Sequence, residues 1–149
     1  MQEAMPTEFQ EQFHDRCETI EACYEFTLSY AAQGHATDEG SAQGQQLREH
    51  LTKAVEAMRG LESSCTAAIV NEQLAPAERY PVFIAVLARD AADAVAAVEL
   101  VLAQRAISSQ LIDNLNASIH LRALLTDLFL LAEILEAQQA GAAQQTAAS

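Results

Sequence analysis

The chain has 149 residues, half of them hydrophobic, and a formal net charge of −13. That length fits one domain with a real core. Eight Lys and Arg against 21 Asp and Glu, with Lys53 the sole lysine, give a surface that repels phosphate backbones and anionic bilayers; nucleic-acid and membrane-surface binding are disfavoured. The acidic coat keeps a Leu-rich chain soluble.

The periodic runs are rich in Ala and Leu, and Gly60 alone interrupts them. Val and Ile never alternate as they would in strands. The composition therefore favours helix. Three cysteines, Cys17, Cys23 and Cys65, make no disulfide framework, and they read as reduced. Met1 to Thr7 shows no basic region followed by an apolar run, so no secretory signal is expected and the compartment reads as cytoplasmic. The apolar run of the last helix is broken by Arg122, Asp127 and Glu133 and is too charged to span a bilayer.

The first helix is expected from Pro6-Thr7 to about Gln33, with Gly34 as a left-handed stop. Phe9, Phe13, Cys17, Ile20, Tyr24, Leu28 and Ala31 recur at steps of three and four and mark its inner face. A second row, Thr19, Cys23, Phe26 and Tyr30, lies about 100° away and reads as spare apolar surface. Residues Gly34 to Gly44 hold three glycines and read as a flexible connector. The second helix is expected from about Gln45 to about Asn71. Its stripe Leu47, Leu51, Ala54, Met58, Leu61, Cys65 and Ala68 is the cleanest heptad pattern in the chain. Gly60 is a place for it to bend.

Pro76 and Pro81 punctuate the next link, and Pro81 disfavours a helical Tyr80. The third helix therefore reads from Pro81 to about Arg105, facing inward with Ile84, Leu87, Ala91, Ala94 or Val95, Val98, and Val101 or Leu102. Its alanines let another helix approach closely. The fourth runs from about Ser109 to about Gln138, with a serine cap. Leu111, Ile112, Leu115 and Ile119 face one way, and Leu121, Leu124, Leu128, Leu131 and Leu135 face another. That change of face marks either a partner subunit or a bend near Ile119. The fold expected is all-α: an antiparallel, up-down-up-down four-helix bundle over residues 1–138, with a disordered Ala/Gln-rich tail at 139–149.

Two helices carry more apolar surface than one face can hide. This points to a homo-oligomer built through Leu124, Leu128, Phe129, Leu131 and Leu135, with Cys23, Phe26 and Tyr30 as a second contact.

The sharpest chemical pattern is on the first helix. His14, Glu18, Glu21 and Glu25 step by four, three and four, and Glu11 with His14 spells Glu-x-x-His. That spacing lets two side chains reach one metal from successive turns, as in carboxylate-bridged di-iron bundles. Such a centre needs the pair twice, and no second copy exists. The row also sits about 115° from the Phe13/Ile20 face, so it reads first as a solvated acidic face and second as a metal site at His14, Glu18 and Glu21. Asp90 and Asp93, and Asp113 with Asn116 and His120, read as solvated faces. There is no zinc spacing, nucleophile turn, phosphate loop or dinucleotide fingerprint. His50, with Arg48 and Lys53 close by, is the one candidate for phosphotransfer. Tyr24, Phe26, Tyr30, Phe83 and Phe129 could line an apolar pocket.

Three functions remain in order: a non-enzymatic, oligomeric interaction or scaffold protein; a metal-binding bundle; and a small apolar ligand binder. No cofactor is expected.

Overall fold

The computed structural model describes the backbone of residues 8–148 and the side chains of residues 8–141. Among the described residues every regular element is helical. In chain order they are α1 (Glu8–Ala32), α2 (Ala42–Arg59), α3 (Leu61–Glu72), a single 3-10 turn (Ala77–Arg79), α4 (Tyr80–Leu102), α5 (Ser109–Ala117) and α6 (His120–Ala148). The expected start at Pro6-Thr7 lies outside the described residues. No described helix is long and apolar enough to cross a membrane.

Two of the four expected helices are broken. Gly60 ends α2 and begins α3. The break frees carbonyls at the end of α2, and Arg16 of α1 caps them. Its Nη1 donates to Glu56 O at 3.3 Å and Ala57 O at 3.1 Å. A Cβ at Gly60 would sit 2.5 Å from that guanidinium, so the glycine makes room for its own cap. The second break is at Ile119, whose φ of 62° is left-handed. A β-branched residue is strained there. The turn re-aims the chain, so Ile112 and Leu115 before it and Leu121 after it all reach the core. Beyond that, α6 runs on through Ala148, so the segment expected to be a disordered tail is helical that far.

The core follows the stripes read from the sequence in α2, α3 and α4. All seven stripe residues from Leu47 to Ala68 are buried, as are Ile84, Leu87, Ala91, Ala94, Val98 and Val101. Helix α1 differs. Phe13, Cys17 and Ile20 are buried, but from there the buried row passes to Cys23, Thr27 and Tyr30, leaving Leu28 exposed.

The homo-oligomer contacts expected from the sequence are therefore corrected. Leu124, Leu128, Leu131 and Leu135 are buried within the single chain, and so are Cys23 and Tyr30. The reason is geometric. Helix α6 packs on both α4 and α1, and α1 packs on α2, α3, α5 and α6. A helix wedged between two neighbours needs a wide apolar arc, which the sequence alone presents as surplus. Phe26 is half-buried and stacks on His50, with ring centroids 4.6 Å apart. Only Phe129 of the expected α6 contact set remains exposed.

The contacts close into a ring: α1 meets α2 and α3, these meet α4, α4 meets α5 and α6, and these return to α1. Among the described residues no α-carbons of α1 and α4 come within 8 Å of each other. The seams α3–α4 and α1–α6 thus lie on opposite sides.

The Gly34 to Gly44 connector is tied down rather than free. Asp38 is 6% exposed. It accepts from Arg48 Nε at 2.5 Å and from Ile107 N at 2.6 Å. Arg48 also donates to the carbonyls of Leu102, the last residue of α4, and of Gln104 and Arg105 just beyond it. Tyr30 Oη donates to Ile107 O at 2.7 Å, Ser109 Oγ donates to Tyr30 O at 2.6 Å, and His35 N donates to Ser109 Oγ at 2.7 Å. This clasp joins the α1–α2 and α4–α5 connections.

The clasp requires Gly44 to have no side chain. A Cβ there would fall on the Asp38 carbonyl, and that obstacle is backbone, which cannot rotate away. We expect Gly44→Ala to cost about 2 kcal/mol, the scale of overpacking a tight contact. Denaturant unfolding measures it; a cost below about 0.5 kcal/mol would show that the contact relaxes freely.

Candidate functional site

One hollow lies between α3 and α4. Its volume is about 480 Å³, and its walls are Thr66, Ile69, Val70, Gln73 and Leu74 on one side and Tyr80, Pro81, Ile84 and Ala85 on the other. Ile69, Leu74, Tyr80 and Ile84 are the buried floor, while Val70 stands 70% exposed at the lip. The chain builds this shape by ending α3 early. Gln73 takes a left-handed conformation, and the turn at Ala77–Arg79 carries the chain away before α4 starts. Gln138 of α6 steadies the far wall, donating to Ala75 O at 2.8 Å and to Tyr80 Oη at 2.9 Å.

A second hollow of about 430 Å³ continues along α4 where α3 gives way to α2, walled by Met58, Glu62, Ala88, Ala92, Val95 and Ala96. Glu62 borders both hollows. The α4 wall from Pro81 to Glu99 spans about 27 Å at the helical rise. It presents small side chains: Ala85, Ala88, Ala92 and Ala96. Arg59 and Glu99 form an ion pair at the end of the groove.

The candidate metal row fares differently. His14 Nε2 and Glu18 Oε1 are 3.0 Å apart, with side chains 70% and 65% exposed. Glu21 is half-buried, and Glu11 and Glu25 are exposed. Among the described residues no three His, Cys, Asp or Glu side chains converge as metal ligands would. The row comes together as one solvated pair. Burial pushes all three thiols up, each to about 12, so Cys17, Cys23 and Cys65 are unreactive. Of the phosphotransfer candidate's neighbours, Arg48 is turned to Asp38. Asn116 donates to Thr27 O at 3.2 Å, a packing role. The aromatic residues do not gather around one pocket: Tyr30 is sealed in the clasp, and only Tyr80, outside the expected set, borders the groove.

One pair was missed in the sequence. Asp127 of α6 faces Asp90 of α4 within hydrogen-bonding reach. Its Oδ2 is buried and receives no donor from the described residues. Burial, then the Asp90 hydrogen bond and charge, raise the Asp127 carboxyl to about 7. The two residues are far apart in the chain, and no spacing rule joins them.

The chain matches no family model, no curated protein and no solved structure. The functional reading therefore stands on this geometry alone. The groove offers apolar area and close approach, which suits a helix laid lengthwise.

Proposed function

We propose that the chain is a non-enzymatic helical interaction protein, whose docking surface is the α3–α4 groove and whose partner is the apolar face of an amphipathic helix. The groove itself carries the reading: two hollows in line, floored by Ile69, Leu74 and Ile84 and walled by alanines. Anchors of such a helix at steps of three, four and seven would drop into the hollows, and the alanine wall would let the backbones come close. The scaffold behind it reads as four legs of an up-down-up-down bundle: α1, α2 with α3, α4, and α5 with α6. The ring of neighbour contacts supports that arrangement. Self-association through the α6 leucine stripe is no part of the reading, because Leu124, Leu128, Leu131 and Leu135 are engaged inside.

A photoreactive benzoylphenylalanine at Val70, in the full chain in its own cell, tests the proposal. We expect one discrete protein adduct, identified by mass spectrometry and lost when Ala85→Glu puts a charge in the groove. No adduct, or the same adduct from the exposed Leu100 on the outer side of α4, overturns it. A small apolar ligand is the second reading, favoured by the 480 Å³ volume, which is of ligand-pocket size. Native mass spectrometry of the purified protein would reveal such a ligand as an added mass displaced by Ala85→Glu.

A further inference from the structure

A different groove lies between the first turns of α1 and the later turns of α6. We propose that it is a second docking surface, one that binds a cationic amphipathic segment of a partner protein. The proposal does not rest on the α3–α4 groove. The hollow measures about 400 Å³. Its floor is apolar: Phe13 and Leu135 are buried there, beside Ala132. Its rim is acidic, formed by Glu11, Asp15 and Glu136. None of these three carboxylates makes an ion pair among the described residues.

The acidic character continues along both helices. On α1, Glu18, Glu21 and Glu25 follow His14 on one face by their spacing, and on α6 Glu133 lies one turn before Glu136. Phe129 shares that side of α6 at a further step of four and is half exposed. Glu18 is held by His14, which also lines the hollow; an exposed aromatic ring beside the carboxylates of Glu11, Asp15 and Glu136 suits a segment that presents alternating apolar and Lys or Arg side chains. Such a partner covers the ring and floor, and its cations meet the rim.

Charge also selects against other occupants. A second copy would bring another −13 to an acidic surface, and nucleic acid or an anionic bilayer is repelled in the same way. A lone metal ion finds no converging triad among the described residues. Opposite charge speeds encounter and makes the binding salt-sensitive. Because the α1–α6 and α3–α4 seams lie on opposite sides of the ring of contacts, occupation of one leaves the other open.

The experiment uses the full chain and two fluorescein-labelled eighteen-residue helical peptides, one of Leu and Lys and the other of Leu and Glu in the same pattern. We expect fluorescence anisotropy to show the Lys peptide bound at least tenfold more tightly than the Glu peptide. We expect Glu11→Lys with Glu136→Lys to weaken it at least tenfold. Glu49→Lys with Asp113→Lys changes net charge equally at exposed positions elsewhere, and should leave affinity within twofold. Val70→Glu, which disables only the α3–α4 groove, should do likewise, so failure of that groove is read separately. Circular dichroism confirms that each variant keeps its helix content. The proposal is overturned if the Lys peptide does not bind, if both charge-reversal pairs weaken it equally, or if Val70→Glu abolishes it. It is also overturned if spermine competes as well as the peptide, since charge alone would then suffice. A dimer in sedimentation that Glu11→Lys with Glu136→Lys strengthens would assign the surface to a second copy.

Discussion

Asp38→Ala is expected to destabilise the protein by about 3 kcal/mol, the scale of removing one partner from a buried ion pair. Two groups lose their acceptor at once, Arg48 Nε and the buried Ile107 N–H, while Arg48 Nη2 keeps the carbonyls of Gln104 and Arg105. For a domain of this size the loss corresponds to a fall of about 10 °C in Tm. The effect carries a pH signature. Burial disfavours the Asp38 carboxylate, but the hydrogen bonds from Arg48 and Ile107 outweigh it, so the group titrates below its usual 3.8. A depressed folded-state value means that the stabilisation is present above 3.8 and is lost as pH falls through the folded value. Urea unfolding of wild type and Asp38→Ala at pH 7 and pH 2.5 checks both statements. The difference should be near its full size at pH 7 and should shrink at pH 2.5. Equal stability at pH 7 would mean that the clasp is decorative.

Asp127 works in the opposite direction. Its carboxyl is raised from 3.8 to about 7 by burial and by Asp90. The folded state therefore holds a proton that the unfolded state releases at lower pH. This contribution is complete below 3.8 and is lost as pH rises through about 7. Each tenfold change in proton affinity corresponds to about 1.4 kcal/mol, and solvent screening of the half-buried pair brings the expected loss between pH 4 and pH 8.5 to about 2 kcal/mol. Asp127→Asn supplies an amide donor to Asp90 without the titration. We expect it to flatten the alkaline limb and to stabilise the protein at pH 8.5 by about 2 kcal/mol, with little change at pH 4. Guanidinium midpoints at the two pH values decide it, and an unchanged slope between them would show that the two carboxyls do not interact. Together, Asp38 and Asp127 place maximal stability on the acid side of neutrality.

The helical character and the inner stripe of α2 and α3 were legible because burial on one face imposes a period of 3.6 that survives in a single sequence. Leu47 through Ala68 shows this across a break: Gly60 ends one helix and begins another without shifting the stripe. The Gly60 and Ile119 breaks were visible as candidates, one from its missing side chain and the other from a change of apolar face. What was misread is instructive. Leu124 to Leu135 looked like surface for a partner because a sequence does not say how many neighbours a helix has; α6 has α4 and α1 on either side. Ile107 and Ser109 lie far along the chain from Tyr30, Asp38 and Arg48, and their joining depends on which loops meet at one end. The Asp90–Asp127 pair was hidden for the same reason, since each residue alone sits at a position that looks solvated. The α3–α4 groove was half legible: the alanines announced close approach, but the hollow depends on where α3 stops.

The clasp gathers the end of α1, the start of α2, the end of α4 and the start of α5. The hollow floored by Ile69 and Leu74 and the hollow between α1 and α6 lie toward the opposite end, where Gln138 ties α6 to the segment before α4. Among the described residues the far end is thus held mainly by buried apolar packing, with Phe13, Leu74, Tyr80 and Leu135 in the core there, and the clasp end by a polar knot. Apolar contacts slide where directed hydrogen bonds do not, so any adjustment of the bundle falls at the far end while the knot of Asp38 and Arg48 keeps its register.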